Sequence, residues 1–164
     1  MALTYELISS STLTSTQTSV TFSSIPATYT DLRLVVTATG SGNFEARVNN
    51  STSAIYNYTY FAGGGGTVDS GISTNADRWY ITAYGMGLSS TIPQMYTLDI
   101  FSYLNDSVYK TALSMSSEDQ NTNGGYVVRQ ANLWKSTAAI TSVTAQATSL
   151  LSGSVISLYG IARA

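Results

Sequence analysis

The chain has 164 residues, a net charge of −2 and only 10% charged residues. It contains neither cysteine nor histidine, which excludes thiolate metal sites and removes the commonest general base and metal ligand. No basic stripe is present, which argues against binding to nucleic acid or to an anionic membrane, and no apolar run approaches the ~18 residues of a membrane-spanning helix. The abundance of Ser, Thr, Asn, Gly and Tyr is typical of an all-β protein, and the length suits a single domain over residues 1–164.

The N-terminal part of the chain alternates between apolar and polar residues, which predicts strands with one buried face. Leu3, Tyr5 and Leu7 share a parity and predict a first strand, with residues 1–4 as an N-terminal arm and residues 10–16 as a loop. A second strand around Val20 and Phe22 stops at Ile25-Pro26, because proline cannot donate a hydrogen bond to a sheet. The next predicted strand has four apolar residues on one face: Leu32, Leu34, Val36 and Ala38.

The middle of the chain contains aromatic strands separated by glycine. A strand from Phe44 to Val48 is followed by one in which Tyr56, Tyr58 and Tyr60 share a face. The four glycines at 63–66 are the most flexible point of the backbone, and the sequence predicts a long polar loop from them to residue 75. A further strand is predicted around Trp79, and glycines at 85 and 87 end it.

The C-terminal part predicts a hairpin with strands at 96–104 and 109–115, then strands at 126–134, 138–147 and 154–161. No stretch has a convincing helical period. About ten short strands separated by turn signals predict an antiparallel β-sandwich or barrel.

Residues 119–124 match the first half of a calcium-binding loop, in which oxygen ligands alternate and a glycine makes the sharp turn. The ligands would be Asp119, Asn121 and Asn123. The twelfth position is Gln130 instead of a bidentate glutamate, and Asn-Gly is also a hairpin turn signal. A turn is therefore the favoured interpretation, and calcium the alternative.

Aromatic residues of the middle region could form a platform that binds a sugar or another protein, since rings combine apolar area with a polar group. The favoured interpretation is a strand whose tyrosines cover a sheet, and the platform is the alternative. The residues concerned are Tyr56, Tyr58, Tyr60 and Phe61, with Trp79 and Tyr80 nearby in sequence.

The acidic residues are scattered along the chain and form no recognisable catalytic constellation, and the glycine-rich segments lack the motifs of nucleotide-binding loops. The sequence therefore predicts a protein that is not an enzyme and that uses no cofactor.

Two parts of the sequence resemble a recurrent module of tailed-bacteriophage virion proteins. The N-terminal part is Tyr5-Glu6-Leu7-Ile8 with the stretch from Val20 to Leu32, and the C-terminal part is residues 138–143 with Leu158-Tyr159-Gly160-Ile161. Residues 49–125 match that module only in composition. The module occurs in capsid cement proteins, such as those of cyanophages, and in head and tail fibres.

The resemblance implies a jelly-roll-like β-sandwich that often forms a homotrimer, with no catalytic residues. A module without a preceding fibre repeat favours a cement protein, made in the host bacterial cytoplasm and bound to the outer capsid surface, where it bridges neighbouring major capsid subunits. The alternatives are a fibre module and a carbohydrate-binding adhesin. The expected contacts with the capsid or with other copies are Met1, Leu3 and Tyr5 of the N-terminal arm together with the aromatic residues of the middle region.

Overall fold

The computed structural model describes residues 5–82, 87–119 and 125–162. These residues form thirteen strands, and the described part of the chain contains no helix. The strands are β1 (Tyr5–Thr12), β2 (Gln17–Phe22), β3 (Asp31–Ala38), β4 (Gly40–Ser41), β5 (Glu45–Val48), β6 (Tyr56–Gly64), β7 (Thr67–Ala76), β8 (Trp79–Tyr80), β9 (Gln94–Phe101), β10 (Lys110–Asp119), β11 (Gly125–Trp134), β12 (Val143–Leu150) and β13 (Val155–Ile161).

The strands form two antiparallel sheets that pack face to face, which confirms the predicted β-sandwich. The larger sheet has eight strands in the order β1-β13-β3-β9-β10-β11-β6-β7. The smaller sheet has five strands: β2, β12, β5 and β8 follow one another, and β4 also pairs with β12. The chain crosses repeatedly from one sheet to the other, as in jelly-roll folds.

A single apolar core links the two sheets because each strand turns alternate side chains inward. In β3 the predicted alternation is confirmed, since Leu32, Leu34, Val36 and Ala38 are all at most 1% exposed. The smaller sheet contributes Val48, Ala145 and Trp79 to the same core. A second, smaller cluster around Ala62 and Val128 lies between β6 and β11, with Tyr60 and Tyr126 packed against it.

Two sequence-based predictions about local structure are wrong, and a third, the strand around Trp79, is confirmed but shorter than expected. The segment predicted as a long polar loop after the glycines is the ten-residue strand β7, which pairs with β6. Gly65 and Gly66 form the two-residue turn of that hairpin, with φ of 56° and 82°, and this geometry is typical of a type I′ turn. Strand β1 continues to Thr12, where a loop was expected, and β8 contains only Trp79 and Tyr80.

Candidate interaction surface

The outer face of the smaller sheet carries a network of paired charges. Asp77 accepts hydrogen bonds from Arg47 and Arg78, at 2.6 Å in each case. Arg78 also donates to Glu45 at 2.6 Å, and Gln146 donates to the same carboxylate at 2.7 Å. Hydrogen bonds from Arg78 and Arg47 hold the pKa of Asp77 at about 2, below its ordinary value of 3.8. These charges already balance one another, so the network is best explained as stabilising its own face.

The outer face of the larger sheet is largely apolar over its β10, β11, β6 and β7 strands. One exposed charge interrupts it, because Arg129 of β11 lies between Met115 of β10 and Phe61 of β6. Pairing between strands sets the side chains in rows: Leu113 lies opposite Ala131, Ala131 opposite Thr59, and Thr59 opposite Ile72. We refer to the five most exposed large apolar side chains here as the apolar face. They are Phe61 (55% exposed), Val68 (71%), Ile72 (73%), Leu113 (52%) and Val127 (51%).

A shallow depression of about 330 Å³ lies on the same side of the sheet. Its lining includes Thr59, Ile72, Thr111, Ala131 and Leu133. Soluble monomers rarely expose contiguous apolar patches of more than a few hundred Å², and larger ones mark sites of interaction. The apolar face with its depression is therefore the candidate functional site.

Strand β10 shows that the apolar face is built into the sequence pattern. Its larger apolar residues, Leu113 and Met115, are at the alternate positions whose side chains point away from the core. The positions whose side chains point inward are occupied by Ser114 and Ser116, which are 3% and 0% exposed. A strand that served only its own core would have the opposite arrangement, since register decides which side chains are buried.

The buried polar side chains behind the apolar face bind one another. Asn132 donates to Ser114 Oγ at 3.0 Å, and Ser114 Oγ contacts Gln130 Oε1 at 3.4 Å. Some atoms of this group, including Gln130 Nε2 and Ser116 Oγ, have no hydrogen-bond partner. Placing polar groups in the interior is costly unless they are paired, so β10 and β11 gain less from their inner faces than an apolar strand would.

A bidentate ion pair lies on the larger sheet towards β1. Arg33 Nε and Nη2 both bind the carboxylate of Asp99, the latter at 2.6 Å. The guanidinium also lies 5.4 Å from the ring centroid of Tyr5. Because Arg33 is paired with Asp99 across β3 and β9, this part of the sheet presents a neutral surface beside the apolar face.

Two residues predicted as partner contacts are core residues. Tyr56 and Trp79 are both 0% exposed, and their rings pack edge to face with centroids 5.3 Å apart. Tyr56 donates to the carbonyl of Val48, and Trp79 donates to that of Leu133 at 3.2 Å. The prediction that these two side chains contact a partner is therefore wrong for the folded chain.

The remaining predicted contacts are divided between the faces of the sheet. Tyr58 and Tyr60 are half-buried and point to the inner side, where Tyr60 donates to Asp69 at 2.9 Å. Phe61 points to the opposite side and belongs to the apolar face. Tyr5 is 45% exposed on the edge strand β1, whereas Met1 and Leu3 lie outside the described residues. The aromatic residues therefore do not form one continuous platform.

Of the candidate calcium ligands, the structure describes the backbone of Asp119, the last residue of β10. Asp119 pairs with Gly125 at the end of the β10–β11 ladder, so the flanks of the segment are strands. Asn121 and Asn123 lie outside the described residues. Among the described residues, no group of three or more acidic side chains is placed to hold a metal ion.

Lys110 is the buried ionisable side chain that most resembles a catalytic group. Its side chain is 0% exposed, and its ammonium donates to the backbone carbonyls of Asn105, Val108 and Thr137, the last two at 3.1 and 2.9 Å. Burial lowers the pKa of Lys110, while the three acceptors favour its charged form. Since an ammonium has three protons to donate, Lys110 joins the β9–β10 loop to the segment after β11.

No protein-family model, curated protein or solved structure matches this chain. No helix among the described residues is long and apolar enough to cross a membrane. The features that bear on function are therefore the sandwich, the apolar face and the resemblance of the two terminal segments.

Proposed function

We propose that the chain is a bacteriophage capsid cement protein that binds the outer surface of the shell and bridges neighbouring major capsid subunits. The observation that carries this proposal is the apolar face, and above all β10, where Leu113 is 52% exposed while Ser116 on the opposite side is 0% exposed. Such a strand is expected where the outer surface of the sheet is covered in the functional assembly. A broad face with few charges, Arg129 being the exposed one beside Phe61, suits a flat contact, since exposed ion pairs add little to affinity.

The segments that resemble the phage module come from opposite ends of the chain and lie together in the fold. Tyr5 pairs with Ile161 between β1 and β13, and Phe22 pairs with Val143 between β2 and β12. The corner after β2 joins the same unit, because the Ile25 N–H donates to the Thr141 carbonyl at 3.2 Å. The two segments are therefore contiguous in the fold, which supports a resemblance to a whole folded unit. Residues 49–125 add strands β6 to β10 to that unit.

In this role the protein stabilises the DNA-filled head by holding several subunits at once. Each contact can be weak, because simultaneous binding to neighbouring subunits multiplies the effective affinity. The resemblance also implies a homotrimer, in which the same binding surface on each copy would match one of the capsid subunits around a threefold position. The role requires no catalytic step and no cofactor.

Reconstitution on shells tests this proposal. Heads of the phage that encodes the chain, prepared without it, are mixed with the purified protein and sedimented. We expect saturable binding with a stoichiometry fixed by the shell lattice, together with greater resistance of the heads to heat. If the protein stays in the supernatant at all concentrations, the cement proposal fails.

An adhesin or fibre module is the alternative, and a partly exposed aromatic pair favours it. The rings of Tyr58 and Tyr80 lie 6.1 Å apart at 52°, and Arg78 lies 5.8 Å from the ring centroid of Tyr80. A glycan array tests this alternative with Tyr80→Ala and the control Tyr109→Ala, whose ring is 53% exposed elsewhere. Trp79→Ala does not serve for this purpose because Trp79 is buried.

A further inference from the structure

Strand β7 is an open edge of the eight-stranded sheet. It pairs with β6 on one side, and no described residue pairs with its other side. It runs for ten residues without proline or lysine, and its only charged residue, Asp69, accepts a hydrogen bond from Tyr60 at 2.9 Å. Natural edge strands are usually protected by lysine, proline, a bulge or short length. The central part of β7 has none of these protections.

The direction of the β7 backbone groups follows from its hairpin. In a two-residue turn the flanking pair, here Gly64 and Thr67, exchanges both hydrogen bonds. Because hydrogen-bonded and non-hydrogen-bonded pairs alternate along an antiparallel ladder, the N–H and C=O groups of Val68, Ser70 and Ile72 point to the open side. The side chains of the same three residues lie on the outer surface of the sheet, and Val68 and Ile72 are 71% and 73% exposed.

These three residues are complementary to their own copies. An antiparallel partner centred on Ser70 places Val68 opposite Ile72 of the second copy and Ile72 opposite Val68. Each pair then exchanges two backbone hydrogen bonds, and the apolar side chains cover one another on the same face. On the other face Asp69 lies opposite Gly71, so no like charges meet. A register centred on Asp69 would instead bring two carboxylates together, which is unfavourable.

The other edges of the sandwich suit such pairing less well. Strand β1 has a register shift between Leu7 and Ser9, and a bulge of this kind interrupts a ladder. The register shift of β7 against β6 lies beyond Ser73, so residues 67–73 remain regular. In the smaller sheet, β8 has only two residues, and the pairing of β2 with β12 shifts between Gln146 and Leu150. Among the described strands, β7 therefore offers the longest regular edge.

We propose that two copies of the chain pair through β7 in an antiparallel, two-fold arrangement centred on Ser70. The pair joins the two eight-stranded sheets edge to edge, so that the apolar face continues across both copies. This contact is isologous, because the same residues serve on each side. It differs from the homotrimer that the resemblance implies, and it does not depend on the proposed role in a capsid.

A cysteine cross-link tests the register directly, because the chain has no cysteine of its own. At the two-fold axis the Cα atoms of Ser70 and its copy are ~5.5 Å apart as a hydrogen-bonded pair, within the ~4.4–6.8 Å that a disulfide spans. We expect Ser70→Cys to form covalent dimers on mild oxidation. The matched control is Thr111→Cys, which is exposed on the same sheet but lies in β10, separated from β7 by two strands, and should form no covalent dimers.

The mass in solution provides the second readout. Light scattering of the wild-type protein should give twice the 17.4 kDa of one chain. Ser70→Pro removes only the N–H that points to the open edge, a position where strands tolerate proline. This variant should have the mass of one chain and an unchanged circular dichroism spectrum. If it does not fold, the cross-link and the wild-type mass decide the question.

Three results would overturn the proposal. One is a wild-type mass of one chain at millimolar concentration. Another is a three-chain mass that Ser70→Pro does not change. The third is a Ser70→Cys protein that cross-links no more than the Thr111→Cys control, which would exclude this register even if the protein is dimeric. If Ser70→Pro loses binding to phage heads while the wild-type mass is that of one chain, the edge binds a strand of another protein.

Discussion

Replacing three side chains of the apolar face by serine should abolish most binding to phage heads without unfolding the protein. Phe61, Leu113 and Val127 are each 51–55% exposed. Burying a complete side chain of this kind contributes roughly 1.5–3 kcal/mol, so covering the exposed half of each contributes about 1 kcal/mol. The three together contribute about 3 kcal/mol, and at about 1.4 kcal/mol per tenfold in Kd the triple variant should bind about a hundredfold more weakly.

Sedimentation of heads with increasing protein concentration measures this change, with unfolding in urea as the check on stability. Because about half of each side chain is already exposed to solvent, each substitution should lower the free energy of unfolding by no more than about 1 kcal/mol. The matched controls are the single variants Val127→Ser and Val108→Ser, which remove side chains 51% and 50% exposed. Only Val127 belongs to the apolar face. Equal binding by the triple variant and the wild type, or equal losses in the two single variants, would refute the reasoning.

Further predictions concern stability and calcium. Lys110→Met leaves three carbonyls without their donor and should lower the free energy of unfolding in urea by about 3 kcal/mol. The control Lys135→Met removes a partly exposed ammonium that donates to Asn75 and should cost less than about 1 kcal/mol; equal effects would contradict this. The pKa of Asp77 is lowered to about 2 from 3.8, so its stabilisation is present above about pH 4 and is lost as the pH falls through 2. Because this side chain is about one-third exposed, Asp77→Asn should cost about 1 kcal/mol at pH 7, and the difference from wild type, measured by urea unfolding at both pH values, should disappear near pH 2. Millimolar calcium should produce no heat in calorimetry and leave the melting temperature of wild type and Asp119→Asn unchanged; a wild-type rise that the variant lacks would restore the calcium site.

The alternation of apolar and polar residues in the sequence is sufficient to predict the sandwich, because most strands follow the rule that apolar residues point inward. The parity of β3 is an example, with Leu32 and Leu34 buried as expected. The hairpin of β9 and β10 and the strand β11 also agree with the predicted segments. These features are local, and short-range alternation contains enough information to specify them.

The candidate site was harder to predict because it breaks the same rule. The sequence alone does not reveal that Leu113 points outward and Ser114 inward, since either face of a strand can be the buried one. In β7, Val68 and Ile72 are the only large apolar residues among small and polar ones, so the sequence pattern after the glycines predicts a loop. Proximity in sequence groups Tyr56 with Phe61, yet the pleat directs them to opposite faces.

The most direct test of the central claim is a cryo-EM reconstruction of purified virions, with the copy number of the chain measured by quantitative mass spectrometry. We expect hundreds of copies at regular positions on the outer shell, with the side of the sheet that carries Leu113 and Val127 turned towards a capsid or neighbouring subunit. A few copies confined to the tail or to one vertex would contradict this expectation. So would a shell-bound protein whose apolar face is fully exposed to solvent.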